Sequence, residues 1–318
     1  MPSSSQLARS KSIQQRTGHT FHLATRLLPE RVRYPTYVLY AFFRIADDVV
    51  DTTEAVDPAA QRSELEHIRD QALGRTEADE PVLEALYELK QEYGIPDEEV
   101  DRFVDAMIED IDHEPYRDFA GVEEYMRGSA VAVGNMMLAI MDVDDQEEAR
   151  PHAAALAEAF QLTNFLRDVR EDIQKYDRVY LPGETRERFG VSVEQLARGE
   201  ADEDFQRVMQ IEMARTEDLY NEGVAGIQYL PTDCQFGVLL AAVLYAEHHR
   251  IIRKHDYDVL SNRPTIPTWR KLYLVGKTRL YWTLQDDPEG VFNRVGAIDQ
   301  SPGLPVDRLI TESGTETH

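Results

Sequence analysis

Two stretches decide the fold: Tyr40-Ala-Phe-Phe-Arg44-Ile-Ala-Asp47-Asp48-Val-Val-Asp51 and Gln161-Leu-Thr-Asn164-Phe-Leu-Arg167-Asp168-Val-Arg-Glu171-Asp172. At about 100° per residue on a helix, Tyr40, Arg44, Asp47 and Asp51 fall within about 60° of one another, and Gln161, Asn164, Asp168 and Asp172 within about 80°. Acidic residues number 59 of 318, so chance alone would place about eleven acidic pairs at i, i+4, most of them on solvated helix faces. Spacing by itself is therefore weak. The flanks carry the reading: Tyr-Ala-Phe-Phe-Arg-Ile-Ala before Asp47 and Val-Val after Asp48 leave that helix little polar face. Carboxylates taken out of water there need a cation, either a metal ion or an arginine partner such as Arg44 or Arg167, because an unpaired desolvated charge costs several kcal/mol.

Outward from these stripes the pattern is helical. Apolar periodicity predicts helices over 9–17, 20–28, 35–51, 58–73, 79–93, 97–112, 122–140, 147–176, 192–198, 202–229, 233–256 and 267–282, with Pro35 near a start and Gly74 and Gly94 just past ends. No series of alternating strand patterns accompanies them. The expectation is one all-α domain over 1–285, with a surface excursion from Pro182 to Asp204. A tail over 286–318, rich in Pro, Gly, Ser and Thr, reads as partly disordered.

Composition narrows the function. The chain carries 34 basic and 59 acidic residues, net charge −25, with six lysines against 28 arginines. Nucleic acid is excluded as a partner, since a phosphate backbone needs basic patches. An acidic, lysine-poor surface suits a protein working in high salt, where counterions screen self-repulsion, and a halophilic source is expected. The single cysteine, Cys234, rules out an internal disulfide and points to a reducing cytoplasm. The N-terminus reads as lacking a secretory signal. The longest charge-free apolar runs, 128–141 and 234–246, are shorter than the ~18–20 residues of a membrane span. With no basic amphipathic helix recognised, membrane contact is expected to be peripheral at most.

Oxygen ligands without clustered Cys or His favour Mg²⁺, or Mn²⁺, over zinc. Mg²⁺ usually binds a few carboxylates together with a substrate phosphate, so two facing acidic helices suit a diphosphate, with Arg44, Arg167, Arg178 and Arg263 as phosphate partners. Gln161 and Asn164 can ligate through oxygen or orient water. Between the stripes, helical spacing aligns Tyr125, Ser129, Ala132 and Met136, whose small members leave room for a long apolar substrate. Close helix packing at Gly128, Ala130 and Gly134 explains the same residues equally well. His248-His249 point about 100° apart and read as surface or packing residues.

From about Thr17 to Arg263 the chain resembles the squalene/phytoene synthase family of head-to-head prenyltransferases. Arg44-x-x-Asp-Asp-x-x-Asp51, Gln161-Leu-Thr-Asn-x-Leu-Arg-Asp-Val-x-Glu-Asp172 and Arg178-Val-Tyr180-Leu-Pro182 carry the resemblance, supported by Leu27-Leu28-Pro29, Tyr125 and Gly134. It implies an all-α prenyl-synthase fold around a central cavity and metal-dependent condensation of two prenyl diphosphates through a cyclopropyl intermediate. By position it implies Asp47, Asp48, Asp51, Asn164, Asp168 and Asp172 as the Mg²⁺ and diphosphate site, with Gln161 in support. Tyr40, Arg44, Tyr125, Arg178, Tyr180, Tyr245 and Arg263 resemble positions that contact diphosphate or flank the reacting carbons. Tyr40, Tyr125, Phe42 and Phe43 are expected in the cavity wall, where π faces stabilise cations. One departure is Thr20-Phe21-His22, where many relatives carry Ser-Phe-Ser; Thr20 keeps a hydroxyl and His22 replaces the second serine. The Arg-Val-Tyr-Leu-Pro ending and the lack of a C-terminal anchor favour two C20 geranylgeranyl units giving phytoene by proton loss. Squalene or dehydrosqualene from C15 farnesyl diphosphate is the alternative, squalene requiring NADPH. A head-to-tail synthase or terpene cyclase would also carry Asp-rich helices, and a non-catalytic lipid-binding or assembly relative would be expected to lose these acids.

Overall fold

The structure is a computed structural model that describes residues 23–52 and 56–298. Thr20, His22 and the predicted helix 9–17 lie outside the described residues, as does the chain beyond Ile298. Among the described residues there are helices and no strands. We number them α1 (Glu30–Val50), α2 (Pro58–Ala72), α3 (Pro81–Tyr93), α4 (Asp97–Glu109), α5 (Phe119–Met126), α6 (Ala132–Met141), α7 (Gln146–Tyr176), α8 (Gly183–Arg188), α9 (Val193–Arg198), α10 (Glu203–Ala225), α11 (Thr232–Lys254), α12 (Thr268–Gln285) and α13 (Pro288–Val295).

The 31-residue α7 is the central pillar, and its sequence explains why. Ala149, Leu162 and Phe165 face one apolar cluster built with α1 to α6. Leu156 and Ala159 face a second with α10, α11, α12 and α13, and Leu166, Val169 and Ile173 face a third with α9 and α10. A helix that is apolar on several sides can only be stable when surrounded. The remaining strip of α7 borders a cavity.

Several expectations need correction. α1 starts at Glu30, after Pro29, so Pro35 lies inside the helix rather than near its start. Its missing N–H leaves the Arg31 carbonyl without an intrahelical donor, a cost offset because Val32, Pro35, Thr36 and Val38 are all buried. The predicted helix 122–140 is broken by a π turn over Arg127–Val131. There Gly128 runs so close to α4 that a Cβ would meet the Arg102 carbonyl oxygen at 2.3 Å. The predicted surface excursion is tied down: Gly183 and Glu184 donate backbone hydrogen bonds to the carbonyls of Tyr116 and Arg117 at 2.8 and 2.7 Å, and Val191 and Leu196 are buried. The domain does not end at 285, since α13 buries Val291, Phe292 and Val295 in the second cluster. Finally, α12 is a basic helix with an exposed apolar face, a feature the sequence reading had ruled out.

Candidate active site

Asp51 caps the C-terminus of α1, its amide donating to the Asp47 carbonyl at 2.8 Å. Asp177 ends α7 in the left-handed conformation (φ 56°), which aspartate tolerates better than most residues. That turn folds Arg178 back, its amide bonding the Asp172 carbonyl at 3.1 Å. The buried Arg178 guanidinium then reaches across to α1, donating to Asp51 Oδ1 at 2.9 Å and to the Val50 carbonyl at 3.0 Å. One arginine thus joins the ends of both acidic stripes.

Each stripe has its own arginine compensation. Arg44 pairs with Asp47 at 3.1 Å and with the exposed Asp48. Asp168 accepts from Arg167 at 2.8 Å and from Arg263 at 2.7 and 3.0 Å, and Arg263 also reaches Glu171 at 2.8 Å. Asp47, Asp48, Asp51 and Asp168 thus each have an arginine partner, and among the described residues no three His, Cys, Asp or Glu side chains are gathered to hold a metal ion.

The compensation is uneven. Burial pushes Asp47 up to about 7, with Asp51, Asp110 and Asp48 adding to the rise against the opposing pull of Arg44. Asp172 is driven well above the carboxylate range by burial and by Asp168 and Asp51, despite Arg178. For Asp168 burial also acts upward, but the hydrogen bonds from Arg167 and Arg263 outweigh it and hold the group low.

A residue missed by the sequence reading joins this cluster. Asp110, just past the end of α4, accepts from the hydroxyls of Tyr125 (2.8 Å) and Tyr180 (2.9 Å) and lies 3.8 Å from Arg178. Burial raises it to about 6 against Arg178 and the two tyrosines. Tyr125 and Tyr180 thus support the acids rather than line the cavity, and Phe165 stacks on Tyr180 at 4.0 Å beneath them.

About one to three turns back along the same faces of α1 and α7, Tyr40, Gln161 and Asn164 border a cavity of about 300 Å³. Tyr40, Phe43, Gln161, Asn164 and Tyr245 stand at the end nearest the acids, while Ala149, Ala153, Leu156, Ile227 and Leu230 line it further along α7. Phe160 stacks on Tyr245 with ring centroids 4.6 Å apart. Phe42, expected in the wall, is fully buried in the first cluster. The alignment of Tyr125, Ser129, Ala132 and Met136 is also corrected. The π turn adds a residue, so Ser129, Ala130, Val133, Gly134 and Met137 face the cavity while Ala132 and Met136 are buried. Both readings of the small residues hold: Gly128 serves helix packing, and Gly134 lines the cavity. His248 and His249 are buried packing residues, not surface ones; His249 bonds Glu217 at 2.9 Å and Thr163 at 3.1 Å.

Residues 14–270 match the squalene/phytoene synthase family. The chain belongs to this family. It is 34% identical over 273 residues to a phytoene synthase of Cereibacter sphaeroides, covering 82% of this chain and 76% of that protein. It is 29% identical to a 15-cis-phytoene synthase of Synechococcus elongatus, covering 82% and 88%. A crystal structure of a dehydrosqualene synthase in complex with ligand superposes with a TM-score of 0.79 at 28% identity, covering 88% of this chain and 97% of that one. The squalene/phytoene synthase family places the fold among the all-α isoprenoid synthases.

Proposed function

We propose that the chain is a phytoene synthase, a prenyltransferase joining two geranylgeranyl diphosphates head to head through a cyclopropyl diphosphate, with Mg²⁺, or Mn²⁺ in its place, as the metal. The observation that carries this is that α1 and α7, whose acidic ends Arg178 joins, also wall a long apolar cavity through Tyr40, Gln161 and Asn164 of the same helix faces. Relatives named phytoene synthase across more than 80% of the chain support it.

Asp47, Asp51 and Asp172 suit a hard divalent cation, because they are oxygen donors whose mutual repulsion in a desolvated setting is relieved by added positive charge. Asp48, Asp168 and Asn164 border the same region. Bound Mg²⁺ would supply the positive charge that neutralises a departing diphosphate. Arg44, Arg178 and Arg263 present guanidinium groups already held by carboxylates and able to exchange an oxygen partner for phosphate. Tyr40, Phe43, Phe160 and Tyr245 present rings at the neck, where π faces stabilise an allylic cation. Further in, alanine, valine, leucine and methionine side chains keep water from quenching it.

The length of the wall supports the C20 reading. Asn164 and Ala149, both lining the cavity along α7, are separated by about 22 Å at ~1.5 Å per residue. A sixteen-carbon main chain, that of a C20 substrate, extends about 19 Å, and the twelve carbons of a C15 unit about 14 Å. The second reading, a C30 synthase using farnesyl diphosphate, is favoured by the superposed dehydrosqualene synthase. Purified protein with Mg²⁺ is expected to convert the C20 diphosphate to a C40 hydrocarbon without NADPH and to be inert with chelator. A C30 product from the C15 substrate, with the C20 substrate refused, would replace the first reading by the second. Ala153→Phe, which fills the cavity midway along α7, is expected to move preference from C20 toward C15 by about tenfold or more. Adaptation to high salt is proposed on charge alone.

A further inference from the structure

In a chain with net charge −25, α12 reads Thr-Trp-Arg-Lys-Leu-Tyr-Leu-Val-Gly-Lys-Thr-Arg-Leu-Tyr-Trp-Thr-Leu-Gln, with four basic residues and no acidic one. Leu274 and Thr278 are buried on its inner side. Its outer side is not polar: Trp269, Leu272, Tyr273, Leu280 and Leu284 are 51–70% exposed. At 100° per residue these five fall within about 120° of one another, a continuous apolar stripe about 22 Å long. Gly276 lies at its centre, and a Cβ there would meet nothing within 4 Å.

The cations frame this stripe. Lys277 lies at one edge and Arg279 at the other, each about 80° from Trp269. Arg270 is paired with Glu247. Lys277 donates to the Arg294 carbonyl at 3.0 Å and Arg279 lies 5.0 Å over the Phe236 ring, so among the described residues no carboxylate cancels either charge. An apolar strip with indole and phenol rings, bordered by unneutralised cations, matches the layering of an anionic bilayer surface: acyl chains inside, phosphates outside. No described helix is long and apolar enough to cross a membrane, so the contact is interfacial.

We propose that α12 is a membrane-docking face, seating Trp269, Leu272, Tyr273, Leu280 and Leu284 among lipid acyl chains and Lys277 and Arg279 against lipid phosphates. The acidic remainder of the surface is repelled by the same lipids, which makes α12 the side that faces the bilayer. α11 lies between it and the cavity: Phe236 packs on Trp282, 6.1 Å between centroids, while Gly237, Val238 and Ala241 line the cavity wall. The docking stands on the helix itself, whichever reaction the cavity performs.

Both tryptophans of the chain, Trp269 and Trp282, belong to α12, so intrinsic fluorescence reports directly on this surface. With Trp282→Phe, Trp269 becomes the sole indole. Full-length protein mixed with phosphatidylcholine vesicles containing about a third phosphatidylglycerol is expected to float with the lipid, shift Trp269 emission to the blue and be quenched by brominated acyl chains. Lys277→Gln with Arg279→Gln is expected to weaken binding about fivefold per charge in dilute salt on these vesicles, and hardly at all on pure phosphatidylcholine. Leu272→Asp with Leu280→Asp is expected to weaken it more than tenfold on either lipid, at unchanged melting temperature; Leu272→Ser with Leu280→Ser serves if the aspartates disturb the fold. Wild-type protein that neither floats nor shifts would overturn the proposal. So would a sedimentation-velocity dimer dispersed by the leucine variants, which would assign the stripe to a second copy of the chain.

Discussion

Asp168 and Asp172 sit one turn apart on the same face of α7, yet their surroundings are opposite. Asp168 is clasped by Arg167 and Arg263 and held low. Asp172 has no such clasp, and burial, the charge of Asp168 and then that of Asp51 push it well up. Asp172 thus joins Asp47 and Asp110 in an inner group, each a buried acid that its arginine does not fully compensate, whereas Asp168 is fully clasped. The inner group has more carboxylate than Arg44 and Arg178 can neutralise, whereas the outer one is already balanced. Affinity for an added divalent cation should concentrate in the inner group.

The largest effect expected from this contrast is on turnover. Asp172→Asn and Asp47→Asn should each lower the rate of diphosphate release from the C20 substrate by about 10³-fold or more. In chelator the same variants should be at least as stable as wild type at pH 8. The sign follows from Asp47, whose value rises from 3.8 unfolded to about 7 folded. Its favourable contribution is complete below pH 3.8 and lost as pH climbs through 7, so the neutral isostere escapes the loss. Wild-type rates, or melting temperatures several degrees below wild type at pH 8, would break the distinction.

Asp168→Asn should behave in the reverse manner. Its folded value is lowered, so its contribution is present at neutral pH and disappears as pH falls through the carboxylate range. Replacement strands Arg167, a half-buried cation, and is expected to cost about 2 kcal/mol at pH 7, read as a drop in urea midpoint. Equal stability changes in Asp168→Asn and Asp172→Asn would show that the two carboxylates share one environment after all.

Arg263→Gln should do less. Half of that side chain is in solvent, and Arg167 continues to hold Asp168, so a stability loss below about 1 kcal/mol is expected. If Arg263 also meets substrate phosphate, KM should rise several-fold with little change in kcat. A kcat loss as large as that of Asp172→Asn would place Arg263 in the inner group.

The stripes could be read from sequence because their logic is local: i, i+4 spacing and apolar flanks are properties of one helix. Asp110 could not, since its partners Tyr125, Tyr180 and Arg178 are 15 to 70 residues away and come together only through tertiary packing. Its one local signal was a carboxylate on the apolar side at the end of α4. The π turn at Arg127–Val131 was hidden because an extra residue in a helix leaves hydrophobic composition unchanged while moving every following side chain by 100°. α13 was obscured by Pro288 and Gly290, although Val291, Phe292 and Val295 already have helical spacing. At α12 the whole-chain charge hid a local reversal of sign that only a helix-by-helix count reveals.

Salt offers the finest separation of the two environments. Surface carboxylates that repel one another across water are screened within about 3 Å at 1 M ionic strength, so wild-type melting temperature should rise in molar KCl over dilute buffer. That gain should appear equally in Asp47→Asn, because it arises from the many exposed acids behind the net charge of −25. The stability difference between Asp47→Asn and wild type in chelator at pH 8 arises instead from a half-buried carboxylate flanked at close range by Asp51 and Asp110, which salt screens only in part. It should keep more than about half its size in 2 M KCl. A difference that vanished with salt would mean that the inner acids are screened like surface ones, and the contrast between Asp172 and Asp168 would reduce to the presence or absence of an arginine clasp.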